Sequence, residues 1–148
     1  MVCTDTSDVE RAVELLDRAV AVDPENSLAW TARGYALARL ADRPDAAIES
    51  FTRALALDPA DVTAAKNVGA MYAKQGTVDA AIETWNRIGK TGEDSPDVHY
   101  GLGEAFEQMG DMAAAEDHFK RVLAILGTNP MRNLARQGLS RIAQRRLR

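Results

Sequence analysis

The feature that most restricts this chain is an internal period. Ala12, Leu16, Ala19 and Pro24 return 35 residues later as Ala47, Phe51, Ala54 and Pro59. Gly69, Tyr72, Ala81 and Trp85 return 34 residues later as Gly103, Phe106, Ala115 and Phe119, and Gly34 stands 35 residues ahead of Gly69. A period of this length marks a supersecondary unit that cannot bury its apolar face alone and must stack on its neighbours.

The content of each unit is two helices and a tight turn. Leu28 to Leu40 is rich in alanine and leucine and has no internal proline. Ala41-Asp42-Arg43-Pro44-Asp45 breaks it, and Ala46 to Leu57 resumes with Ala47, Ile48, Phe51, Ala54 and Leu55 at helical spacing. Asp58-Pro59 ends the second helix, because proline cannot continue it and restricts the residue before it. Later turns fall at Gln75-Gly76-Thr77 and Met109-Gly110-Asp111, where glycine can close a helix in the left-handed conformation. Ser7-Asp8-Val9-Glu10 reads as a capping box, and Ser95-Pro96 and Asn129-Pro130 read as capping side chains ahead of first-turn prolines. Only 5% of residues are aromatic against 46% apolar, so the filling is aliphatic and the helices sit close. Gly34, Gly69 and Gly103, one per first helix, leave room for Phe51, Trp85 and Phe119.

The run Ala29-Trp30, Gly34, Ala47-Ile48-Glu49, Phe51, Ala54-Leu55, Asp58-Pro59 resembles the tetratricopeptide repeat. That resemblance implies an all-α fold, a right-handed α-solenoid of antiparallel helix pairs in a single domain over 1–148. The expected divisions are a half unit over 8–26, full units over 27–61, 62–95 and 96–129, and a basic closing helix over 130–148. The chain departs from the pattern after Trp85, where Gly89 should end the helix early. The usual tryptophan of Trp30 is replaced by Ala65 and His99 in later units.

The sequence offers no constellation for catalysis. His99 is expected to pack and His118 to face solvent. One cysteine, Cys3, excludes an internal disulfide framework, and no His-Glu-x-x-His or paired-cysteine spacing suggests a metal. No enzyme activity, cofactor or metal is therefore expected. With no signal peptide and no membrane span, the expected location is the cytoplasm, with neither membrane nor nucleic acid as partner.

What remains is surface. The resemblance implies a concave groove lined by first helices that holds a peptide or helix of another protein. Here the groove would present Leu28, Thr31, Ala32, Tyr35 and Arg39, then Thr63, Lys66, Asn67, Ala70 and Lys74, then Asp97, Tyr100, Gly101, Glu104 and Gln108. Lys66, Arg132 and Arg136 also fall on the places of the family's carboxylate clamp. Its two asparagines are replaced by Ala70 and Gly101, and three matches in five do not carry that reading.

Charge marks the two ends. Residues 127–148 hold six arginines and no acid, while the other 126 residues hold twelve basic and 22 acidic groups, so +6 and −10 give the net −4. The basic end, with Arg132, Arg136, Arg141 and Arg145, and the acidic first helix have opposite signs. Gly138 stands in the last helix at the place of Gly34, Gly69 and Gly103. A closing first-type helix and an opening second-type helix would complete one unit between two copies, so a head-to-tail homo-oligomer is the alternative expectation.

Overall fold

The computed structural model describes residues 6–90 and 94–148; Cys3 lies outside them. The described residues form eight α-helices and no strand. In chain order they are α1 (Thr6–Val22), α2 (Ser27–Ala38), α3 (Pro44–Leu57), α4 (Val62–Lys74), α5 (Val78–Lys90), α6 (Pro96–Met109), α7 (Met112–Ala124) and α8 (Met131–Arg146). They group into two compact units, Met1–Val68 and Gly69–Arg148, with the boundary inside α4.

In the first unit α2 packs on both α1 and α3. Phe51 is fully buried, and a Cβ built on Gly34 would stand 2.8 Å from its Cδ1 and Cε1. The glycine is therefore the condition for the ring's position. Arg33 ties the three helices together: Nε donates to Asp17 Oδ1 at 2.6 Å and Nη1 donates to the buried Ser50 Oγ at 2.6 Å. Its guanidinium also lies 5.7 Å from the Trp30 ring centroid. Trp30 Nε1 donates to the Pro24 carbonyl at 2.9 Å, which holds the turn before α2.

The second unit repeats the motif with two aromatics, each between two glycines. Built Cβ atoms on Gly69 and Gly101 would lie 2.8 and 2.5 Å from Trp85 Cε2. Those on Gly103 and Gly138 would each lie 2.6 Å from the Phe119 ring. Gly34, Gly69 and Gly103 face the aromatic of their own unit, as the period implied. Gly138 faces the aromatic of the preceding helix, α7, and so packs as Gly101 does. Around Phe119 the core continues through Ala115, Val122, Ala135 and Ile142.

The turn chemistry holds at the glycines and shifts at the caps. Gly76 and Gly110 take φ of +76° and +88°, as expected of closing residues. Pro44 opens α3, two residues before the expected start, because its fixed φ suits the first helical position. Helix α5 runs through Gly89 to Lys90, so that glycine does not end it early. Ser7 lies inside α1 rather than ahead of it. Ser95 is the N-cap of α6 with its hydroxyl on Asp97 Oδ2 at 3.5 Å, not on a backbone N–H. Asn129 does not cap α8; Pro130 takes that position, and both polar side-chain atoms of Asn129 are buried without a partner. The working caps are Asn26, Asp61 and Asp111, whose side chains accept from Ala29, Ala64 and Ala114 N–H.

Candidate functional site

The residues expected to line a groove divide between the units. In the first, Tyr35 is 56% exposed, whereas Lys66 is half-buried. Arg39 is the C-cap of α2. Asn67 turns back into its own helix, with Nδ2 donating to Thr63 O at 2.8 Å. Thr31 is likewise committed, donating to Asp61 Oδ2 at 2.6 Å and so linking α2 to the cap of α4. A hollow of about 540 Å³ in this unit is lined by Trp30, Glu49, Thr52, Arg53 and Ala56, none of them an expected groove residue.

The second unit brings its expected residues together. Ala70, Lys74, Asp97, Tyr100, Gly101, Glu104 and Gln108 surround one hollow of about 510 Å³. Ala70 on α4 reaches little beyond the backbone there, and Gly101 on α6 admits the Trp85 ring. The Trp85 indole closes one wall; it is only 4% exposed, and its Nε1 has no hydrogen-bond partner. From α8 come Met131 and Leu134, the latter 37% exposed. Sequence reasoning missed Ala73, which also lines the hollow, and the three residues Trp85, Met131 and Leu134. The only signal of the last three was α8's apolar spacing and the aromatic repeat at Trp85, both of which read as core.

Polar groups at this hollow are set by their neighbours. Tyr100 Oη donates to Glu104 Oε1 at 2.6 Å, and its ring tilts against Phe119 at 5.8 Å. Burial, reinforced by that hydrogen bond and the Glu104 charge, holds the phenol well above its ordinary pKa, so it remains a donor. Lys74 contributes the cation at the end of α4, with Asp97 and Glu104 as acidic counterparts.

The basic end is largely committed within the unit. Arg141 grips Glu107 in bidentate fashion, Nε to Oε1 at 3.1 Å and Nη2 to Oε2 at 2.8 Å. Arg145 lies 3.8 Å from the same carboxylate, and Arg146 reaches Glu116 at 2.6 Å. The Glu107 hydrogen bond raises the Arg141 pKa further. Arg132 donates to Ile125 O at 3.2 Å, and Arg136 to Asn133 Oδ1 at 3.3 Å within its own helix. Arg132, Arg141, Arg145 and Arg146 thus bind α8 to α6 and α7.

His118 does not face solvent as expected. It is half-buried, with its ring parallel to Phe106 within 7° at 5.5 Å between centroids, and it meets the His99 ring edge to edge, centroids 5.3 Å apart and planes at 27°. The two imidazoles meet through their Nδ1 atoms at 3.0 Å.

A family model described as the tetratricopeptide repeat matches residues 5–42, 41–96 and 84–130. The chain belongs to the tetratricopeptide repeat family. Among curated proteins it is similar to protein bimA of Emericella nidulans, 30% identical over 126 residues, 83% of this chain; the chain spans 15% of that relative's length. Among solved structures, a crystal structure of MamA superposes with a TM-score of 0.86 at 21% identity, covering 95% of this chain and 80% of that one. MamA 41-end from Desulfovibrio magneticus RS-1 gives 0.83 at 20% identity, over 93% of this chain and 76% of that one. Another MamA crystal structure gives 0.74 at 26% identity, over 82% and 70%. These likenesses show the fold, an α-solenoid of the tetratricopeptide repeat type, which in general supports a protein-interaction scaffold. No helix among the described residues is long and apolar enough to cross a membrane.

Proposed function

We propose that the chain is a protein-interaction scaffold that holds a peptide or helix of another protein in the hollow of its second unit. The observation that carries this reading is the convergence of Lys74, Tyr100, Gly101 and Glu104 with Met131 and Leu134 around one 510 Å³ space. That volume falls in the range of binding sites, and its apolar walls with a few charged groups suit an occupant that inserts aliphatic side chains. Lys74 and the Asp97–Glu104 pair would orient its polar groups. Peptides selected from a displayed library test the reading. Leu134→Asp and Lys74→Glu should each weaken the selected peptides by about tenfold, a cost of ~1.4 kcal/mol, without lowering the melting temperature. Peptides that bind both variants as well as the parent would sink it.

A second reading is favoured by α1. Ala12 and Leu16 are half-buried and Ala19 is exposed, whereas their counterparts Ala47, Phe51 and Ala54 are fully buried. This face of α1 is therefore only partly covered, and a second copy could cover it head-to-tail through the basic helix. Exposed charges are screened beyond about 10 Å at 0.1 M salt. The assembly should then dissociate as salt rises, and Arg132→Glu with Arg136→Glu should disperse it at low salt. A monomeric mass at high protein concentration in low salt excludes this arrangement.

A further inference from the structure

We propose that the His99–His118 imidazole pair is an acid-sensitive clasp between α6 and α7, closed while it holds at most one extra proton and opened by a second. This device goes beyond the peptide-binding reading and does not depend on it. The two histidines are 19 residues apart, too far for any local motif, and meet only because α6 and α7 pack as a pair.

Three contacts build the clasp. His99 Nε2 donates to Asp94 Oδ1 at 2.6 Å, which leaves Nδ1 of the neutral ring as an acceptor. His118 Nδ1 lies 3.0 Å from that acceptor and so donates to it, with the rings edge to edge. Phe106, parallel to His118 at 5.5 Å, flanks the ring on one face.

This hydrogen bond survives one added proton. His99 then holds hydrogen on both nitrogens and donates from Nδ1, while His118 moves its own proton to Nε2 and accepts. Asp94 stands beside the new charge on His99. A second added proton has no such outlet. Two imidazolium rings present only N–H donors, so two positive charges would face each other across 3.0 Å with no lone pair between them. The rings must part, and His118 leaves Phe106. Tyr100 follows His99 and its ring lies against Phe119 of α7, so the opening also reaches a wall residue of the hollow. The charged groups around the pair set which ring refuses the proton. Asp94, ahead of α6, faces His99, while Asp117 and Arg121 of α7 act on His118. Burial first, then the His99 and Arg121 charges, hold His118 below its ordinary pKa against the opposing pull of Asp117. A base depressed in the folded state contributes stability that is whole above its unfolded value, about 6.5, and is lost as pH falls below it. The clasp therefore opens on the acid side of that value.

Thermal melts of the full chain and of the double variant His99→Gln with His118→Gln test the clasp. Two glutamine amides can pair donor to acceptor at every pH, so the variant keeps a polar contact that does not titrate. Between about pH 6.5 and pH 5 the parent's melting temperature should fall by about 2–4 °C more than the variant's. If the variant folds poorly, ¹⁵N spectra of the parent's ring nitrogens over about pH 8 to 4.5 decide. Both histidines should respond together in two steps that belong to the pair, the second below the ordinary histidine range. Equal losses in parent and variant, or two histidines that each titrate independently in one ordinary step, would overturn the proposal and leave the pair a packing contact.

Discussion

Phe119 shows how little tolerance a single position has in this fold. Its ring is fully buried with Gly103 on one side and Gly138 on the other, and a methyl group on either would come within 2.6 Å of it. Overpacking of this kind costs about 1–3 kcal/mol because neighbouring side chains must leave their rotamers. Gly103→Ala is therefore expected to lower unfolding free energy by about that amount in urea titrations, and the loss should shrink in a Phe119→Leu background. An additive double mutant would show that the ring is not the obstacle. The glycines were legible because they recur with the aromatics. Which aromatic each one faces was not: Gly138 keeps the sequence spacing of Gly103 yet packs on the preceding helix.

At the scale of elements, polar bonds between helices decide which surfaces remain open. Glu107, only 10% exposed, receives both Arg141 and Arg145 and so fastens α8 to α6. Arg141→Ala removes two charge-assisted hydrogen bonds, and because the arginine is 44% exposed the expected loss is discounted to about 1 kcal/mol. Arg136→Ala, which breaks one contact within its own helix, should change stability by less than about 0.5 kcal/mol. Thermal melts of the two variants test the difference, and equal shifts would contradict the role given to Glu107. In the first unit Arg33→Met should cost about 1.5–3 kcal/mol through its bonds to Asp17 and Ser50. None of these pairings could be read from composition. The sequence shows a basic end and an acidic body, but not that Arg141, Arg145 and Arg146 are already paired with glutamates of the same unit.

For the whole molecule, stability in a repeat array is approximately a sum over units and their nearest neighbours. A lesion in one compact unit should then register mainly there. In Gly103→Ala, amide exchange should accelerate across α6, α7 and α8 while α1, α2 and α3 keep their parent rates, read by hydrogen-exchange mass spectrometry. Uniform acceleration would mean that the chain opens as one cooperative body.

The sequence by itself determined the helix pairs, their turns at Gly76 and Gly110, the small-residue positions and the family, because each follows from local propensity repeated at a constant period. The family resemblance also marked Lys74, Tyr100 and Glu104, by carrying its groove positions onto the first helices of this chain. Tertiary structure alone decided the rest. Met131 and Leu134 reach the hollow because α8 packs beside α6, and His99 meets His118 because α6 lies against α7. Periodicity records which face a residue occupies; it does not record which residue of another helix stands opposite, since that depends on the register and crossing of packed surfaces.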